Sequence, residues 1–146
     1  MATIERFEQI EAWQTARELT RLVYQLSNKG EFARDFGLRD QIRRAAVSVM
    51  SNIAEGFESR TSGLFIDYLG RAKASAGEVR AQCYVCLDAG YIDQNSFNSM
   101  FQMAEKCSKQ LSNFIWYLEN NRSNSRTLRE PNQPYQLDEL YKPDQP

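Results

Sequence analysis

Residues Gln41 to Gly56, QIRRAAVSVMSNIAEG, constrain the fold more than any other stretch, because they lay two distinct stripes on one helix. At about 100° of turn per residue, Leu38, Ile42, Ala45, Val49 and Ile53 share one face. Gln41, Arg44, Ser48, Asn52 and Glu55 recur beside it at spacings of three and four. The apolar stripe requires a core. The polar stripe is small at its centre, where Ser48 and Asn52 have Ser51 alongside, although exposed helix positions more often carry long charged side chains. Small polar residues admit another helix at close range. Arg44 and Glu55 are eleven residues apart, about 16 Å along the axis, so they cannot pair within their own helix. Across a staggered subunit contact or a bundle crossing they can, fixing register more than adding stability. The five residues are therefore candidate assembly contacts, with a plain solvated face as the alternative.

The remaining apolar residues keep the same period. Trp13, Ala16, Leu19, Val23 and Leu26 place a first helix at about residues 8–28, with Gly30 as its stop. The helix carrying the two stripes is expected at about 38–57, ended by Gly56 and the polar run from Glu58 to Ser62. Thr61 or Ser62 can cap a third helix, in which Phe65, Leu69, Ala72, Ala76, Val79, Cys83, Cys86 and Leu87 share a sector before Gly90. Asp93 or Asn95 can cap a fourth, with Phe97, Met100, Phe101, Ala104, Cys107, Leu111, Ile115 and Leu118 in register. No strand pattern intervenes. Helices of about 20 residues rise about 30 Å, and short connectors favour antiparallel neighbours. The expected fold is all-α, an antiparallel up-down-up-down four-helix bundle over residues 1–120.

Residues 121–146 form a polar tail that holds all four prolines, a composition expected to be disordered. Within it Tyr135, Leu137, Leu140 and Tyr141 suggest a short docking peptide as the alternative. With 18 basic and 19 acidic residues the formal charge is −1, so no global field draws the chain toward nucleic acid or an anionic membrane. No apolar run is long enough to cross a bilayer, and MATIERFEQIEAW lacks the order of a secretory signal. A cytoplasmic setting is expected, and three cysteines, an odd number, suit a reducing compartment.

The residue types narrow the chemistry. Histidine is absent, which excludes Ser-His and Cys-His pairs and histidine-ligated metals. Cys83, Cys86 and Cys107 lie on apolar stripes, so a bundle core accounts for them better than a thiolate metal or redox site. The seven glycines form no phosphate-binding loop. Glu55 and Glu58 close a helix and read as a solvated terminus rather than an acid/base pair. No catalytic residue, cofactor, metal or small-molecule substrate is inferred. If the second and third helices are adjacent, Arg39 and Arg43 can join Arg71, Lys73 and Arg80 in a patch for phosphates, and ring assembly would multiply it. Solvated or ion-paired faces are the simpler reading of scattered arginines.

At these residues the chain resembles a known family. QIRRAAVSVMSNIAEG, with Trp13-Gln14-x-Ala16 and Phe36-Gly37-Leu38 before it and Arg60 and RAKASAGEVRAQ after it, is similar to the four-helix bundle proteins encoded in 23S rRNA intervening sequences. The resemblance spans residues 7 to about 120. It implies an antiparallel bundle assembled into a homopentameric ring with a central channel, in proteins often labelled ribosomal. A related branch, the accessory variability proteins of diversity-generating retroelements, implies binding of reverse transcriptase and nucleic acid through a basic surface. This chain departs from that pattern in being slightly acidic and in lacking a proline before the second helix, where Gly30-Glu31-Phe32-Ala33 stands. The combined expectation is a non-enzymatic oligomeric scaffold or binding module for structured RNA or a nucleic-acid enzyme. The alternative is a protein-binding ring without a nucleic-acid role.

Overall fold

The computed structural model describes residues 3–121, and the expected C-terminal tail with its docking peptide lies outside them. Four helices make up the fold: α1 (Glu11–Leu26), α2 (Phe36–Glu58), α3 (Ser62–Asp88) and α4 (Gln94–Asn120). Short 3-10 turns at Phe7–Gln9 and Phe32–Arg34 precede α1 and α2. Among the described residues there is no strand, and no helix is long and apolar enough to cross a membrane.

Local chemistry sets the helix ends. Asp35 caps α2 by accepting from the Leu38 N–H at 3.1 Å, and Thr61 caps α3 by accepting from the Leu64 N–H at 3.1 Å. Asp93 caps α4 through the Ser96 N–H at 2.7 Å, which holds its carboxyl below the usual carboxylate range. At the end of α3, Gly90 takes φ +75°, a conformation that glycine adopts without a Cβ penalty. Its N–H donates to Leu87 O at 3.0 Å and the Tyr91 N–H donates to Cys86 O at 3.0 Å, which satisfies two terminal carbonyls in a Schellman motif. Tyr91 then stacks on Phe32, and its hydroxyl donates to Asp35 Oδ2 at 2.9 Å. The α3–α4 turn is thereby clipped to the start of α2.

Each helix packs on the next, and α4 returns to α1. The contacts run in opposite directions along neighbours: Ser48 meets Ser75 while Gly56 meets Phe65, and Phe65 meets Phe114 while Tyr84 meets Phe97. Ala12 and Ala16 share a cluster with Val49 and Ile53, and Leu19 and Val23 with Ile42 and Ala45, so α1 also runs opposite to α2 and the bundle is up-down-up-down, as the short connectors predict. Its core forms two clusters along the axis. One gathers Ala12, Ala16, Val49, Ile53, Phe65, Leu69, Cys107, Leu111 and Phe114; the other gathers Leu19, Val23, Ile42, Ala45, Val79, Cys83, Cys86, Met100 and Ala104. Phe32, in the first connector, also reaches the second cluster.

Two boundaries differ from the periodic reading. Ile10 is extended (φ −72°, ψ 122°) and fully buried, so α1 starts after it at Glu11. An apolar residue in phase conceals such a break. Gly56 does not stop α2, which runs on to Glu58. A Cβ on Gly56 would meet Phe65 Cδ2 and Tyr68 Cβ at 2.7 Å, so the glycine marks the close approach of α3.

Candidate assembly face

The antiparallel α2–α3 pair divides the polar stripe. At its centre, Ser48 Oγ lies 2.9 Å from Ser75 Oγ, and Asn52 Nδ2 donates to Ser48 O at 2.8 Å and to Ser48 Oγ at 2.9 Å. The helix that these small residues admit is the chain's own α3. Ser48 and Asn52 are half-buried, whereas Gln41, Arg44 and Glu55 are exposed. Among the described residues Arg44 and Glu55 form no ion pair with each other or with α3. The ends of the stripe thus face outward with their hydrogen-bonding capacity unspent.

Gln41 and Gln82 each lie seven residues out from the Ser48–Ser75 pair, at one level of the antiparallel crossing. Gln82 is only 9% exposed, and its Oε1 is buried without a hydrogen-bond partner. The periodic reading passed over it. Its available signal was an amide placed among Val79, Cys83 and Cys86, one heptad beyond Ser75. Exposed apolar side chains elsewhere along the pair are Val47 on α2 and Leu64 and Val85 on α3. Gly70, Ala74 and Ala81 are exposed on the outside of α3, and a Cβ on Gly70 would meet nothing within 4 Å. Glycine in a helix interior costs about 1 kcal/mol relative to alanine. No packing within the chain requires it there.

The candidate basic residues are not gathered into one patch. Arg39 pairs with Asp40 at 3.1 Å, donates to Ala33 O at 3.1 Å and lies 4.8 Å from the Phe36 ring centroid. Arg43 donates to Ser27 Oγ at 2.8 Å and lies 4.5 Å from the Tyr24 ring centroid. Both turn toward α1 and the first connector. Arg71 is exposed and covers the Tyr68 ring at 5.1 Å. Lys73 and Arg80 are half-buried and stand on the flank of α3 that also carries Tyr84, which packs against Phe97 and Phe101 of α4. One bundle thus spreads these charges over different flanks.

The thiols are core residues. Burial pushes Cys83 and Cys107 up to about 12 and Cys86 up to about 11, with the neighbouring Cys86 adding to the effect at Cys83. They stay protonated at neutral pH and are poor nucleophiles or metal ligands. Cys107 Sγ instead donates to Ala12 O at 3.4 Å, joining α4 to α1. Glu55 and Glu58 are both exposed at the end of α2.

A solved structure from Bacteroides thetaiotaomicron VPI-5482, described as a protein with unknown function from the S23 ribosomal protein family, is similar with a TM-score of 0.66 and 22% identity. The similarity covers 71% of this chain and 97% of that one, and at this identity it speaks for the fold. No curated protein matches the chain. The model of the family described as 23S rRNA-intervening sequence protein matches residues 8–113, both stripes of α2 included. With more than half its length matched, the chain belongs to the 23S rRNA-intervening sequence protein family.

Proposed function

We propose that the protein is a non-enzymatic, cytoplasmic homo-oligomeric scaffold whose copies meet through the outer face of α2 and α3. The carrying observation is the outward set Gln41, Arg44 and Glu55, exposed on both sides of a stripe whose centre is already bonded to α3. The exposed apolar side chains Leu64 and Val85, eleven residues before and ten after Ser75 on α3, support the same face, because each leaves apolar surface in water in an isolated bundle. A helix from another copy covers them. The homopentamer implied by the sequence resemblance is the state proposed.

The partner class favoured for this scaffold is protein. Net charge −1 and the dispersal of Arg39, Arg43, Arg71, Lys73 and Arg80 over different flanks support protein over structured RNA. Native mass spectrometry of the wild type and of an Arg44→Ala, Glu55→Ala double variant tests the assembly. A wild-type oligomer that dissociates in the variant is expected, and an oligomer unchanged by the double replacement refutes the proposed face. An RNA shift assay at low salt tests the partner class. A salt-sensitive shift lost on replacing Arg39 and Arg43 would reverse the preference for protein.

A further inference from the structure

Phe36, Arg43 and Val47 follow one another on α2 at spacings of seven and four, and Arg17, Arg21 and Tyr24 do so on α1 at four and three. Each set therefore shares one side of its helix. The two sides meet at Arg43, whose guanidinium lies 4.5 Å from the Tyr24 ring centroid while its Nε donates to Ser27 Oγ. Together they make an outward seam between antiparallel helices. The seam is apolar at Tyr24, Phe36 and Val47, which are 44%, 63% and 39% exposed. Single exposed apolar residues are ordinary, but three along one seam of about 16 Å call for a cover. The seam is also basic. Among the described residues no carboxylate pairs with Arg17, Arg21 or Arg43, and Asp40, between Phe36 and Arg43 on that side of α2, is tied to Arg39.

We propose that the seam is covered by residues 135–141 of the same chain, YQLDELY. This segment sets four large apolar side chains, Tyr135, Leu137, Leu140 and Tyr141, around the acidic pair Asp138 and Glu139. The apolar groups suit Tyr24, Phe36 and Val47, and the carboxylates suit the three arginines. Residues 122–134, with three arginines and one glutamate, lack this complementarity. The connection is long enough. α4 ends beside the start of α1, where Leu118 and Ala12 share a core cluster. From Ala12 to Tyr24 α1 rises about 18 Å, and a step across one helix adds about 10 Å. Tyr135 stands fourteen residues beyond Asn121, a reach of about 45 Å. A tethered segment acts at about millimolar effective concentration, so an intrinsic Kd of about 100 µM keeps the seam mostly covered. The seam lies on the α1 side of α2, apart from the α2–α3 face, so failure here leaves the assembly reading untouched.

Photocross-linking of the full chain tests the proposal. Benzoylphenylalanine in place of Phe36 is expected to cross-link to residues 135–141 within one chain, and this product is expected to be lost in a Leu137→Asp, Leu140→Asp variant. A fluorescent peptide of residues 134–143 gives the affinity. It is expected to bind the full-length Leu137→Asp, Leu140→Asp variant with a Kd of about 100 µM or tighter, and the wild type about tenfold more weakly, because there the chain's own segment competes. The same peptide carrying Asp138→Lys and Glu139→Lys is expected to lose at least about tenfold in affinity. Cross-links only between chains or only outside 135–141, or peptide binding that is equal in wild type and variant or absent from both, overturns the proposal.

Discussion

Ser48 Oγ and Ser75 Oγ lie 2.9 Å apart across the α2–α3 crossing, and Asn52 Nδ2 donates to that same Ser48 oxygen at 2.9 Å. The three side chains form a short relay in which a half-buried hydroxyl is used from both sides. The polar stripe of α2 is therefore part bundle contact and part outward surface, and replacements along it should separate into two kinds.

Replacing Ser48 by alanine is expected to lower stability by about 1–2 kcal/mol, since it strips a partner from both Ser75 and Asn52. A double-mutant cycle of Ser48→Ala with Ser75→Ala, measured by urea unfolding, is expected to give a coupling of about 0.5–1.5 kcal/mol. Additive losses would mean that the hydroxyls do not interact.

Gly56→Ala should destabilise the bundle despite alanine's higher helix propensity. The added methyl would overlap Phe65 Cδ2 and Tyr68 Cβ, and the latter is anchored to its backbone. Overpacking of about 1–3 kcal/mol outweighs a propensity gain of about 1 kcal/mol, so a lowered thermal midpoint is expected. A raised midpoint would show that α3 can move away without loss.

The thiols make stability sensitive to alkali. In the unfolded chain they ionise near the ordinary value of 9.0, whereas in the bundle burial holds Cys83 and Cys107 near 12 and Cys86 near 11. Their contribution is complete below the unfolded value and is lost as pH rises toward the folded ones. Urea midpoints should be flat below about pH 9 and fall progressively above it. Labelling by a disulfide reagent at neutral pH should be slow in the native protein and fast once urea unfolds it. Rapid native labelling would contradict the burial of all three.

The Tyr91 phenol should titrate late. Its hydrogen bond to the Asp35 carboxylate raises it above its ordinary 10.0, with the negative charge of Asp35 acting in the same direction. Ultraviolet titration is expected to show one tyrosine moved upward. Asp35→Asn keeps a capping side chain and should return that transition toward the ordinary range. The contribution of this bond is present below pH 10.0 and disappears as pH rises through the folded value. An unmoved transition in Asp35→Asn would count against the clip.

The helical layers were legible in the sequence because the period of apolar residues is set by the core that they enter. Leu69, Ala72, Ala76 and Val79 are fully buried, as their spacing predicts. The break at Ile10 was hidden because its apolar side chain keeps the period while its backbone leaves the helix. The end of α2 at Glu58 is legible from Gly56 together with the polar run that follows it, but that Gly56 marks the close packing of α3 is revealed only by the position of α3. The polar stripe was visible, but which of its members turn to α3 depends on the rotation between two helices. One sequence period cannot fix that rotation. The basic residues carried even less positional information: Arg39 and Arg43 are drawn toward Ala33 and Ser27, groups far from the supposed patch in the chain's own order.

Native mass spectrometry of the wild type beside Val85→Arg tests the proposed assembly most directly. Val85 is 51% exposed and stands one turn beyond Gln82 on α3, so arginine there leaves the isolated bundle folded. A wild-type homopentamer and a folded monomeric Val85→Arg variant are expected. A monomeric wild type, or a Val85→Arg variant that assembles as the wild type does, would contradict the proposed α2–α3 face.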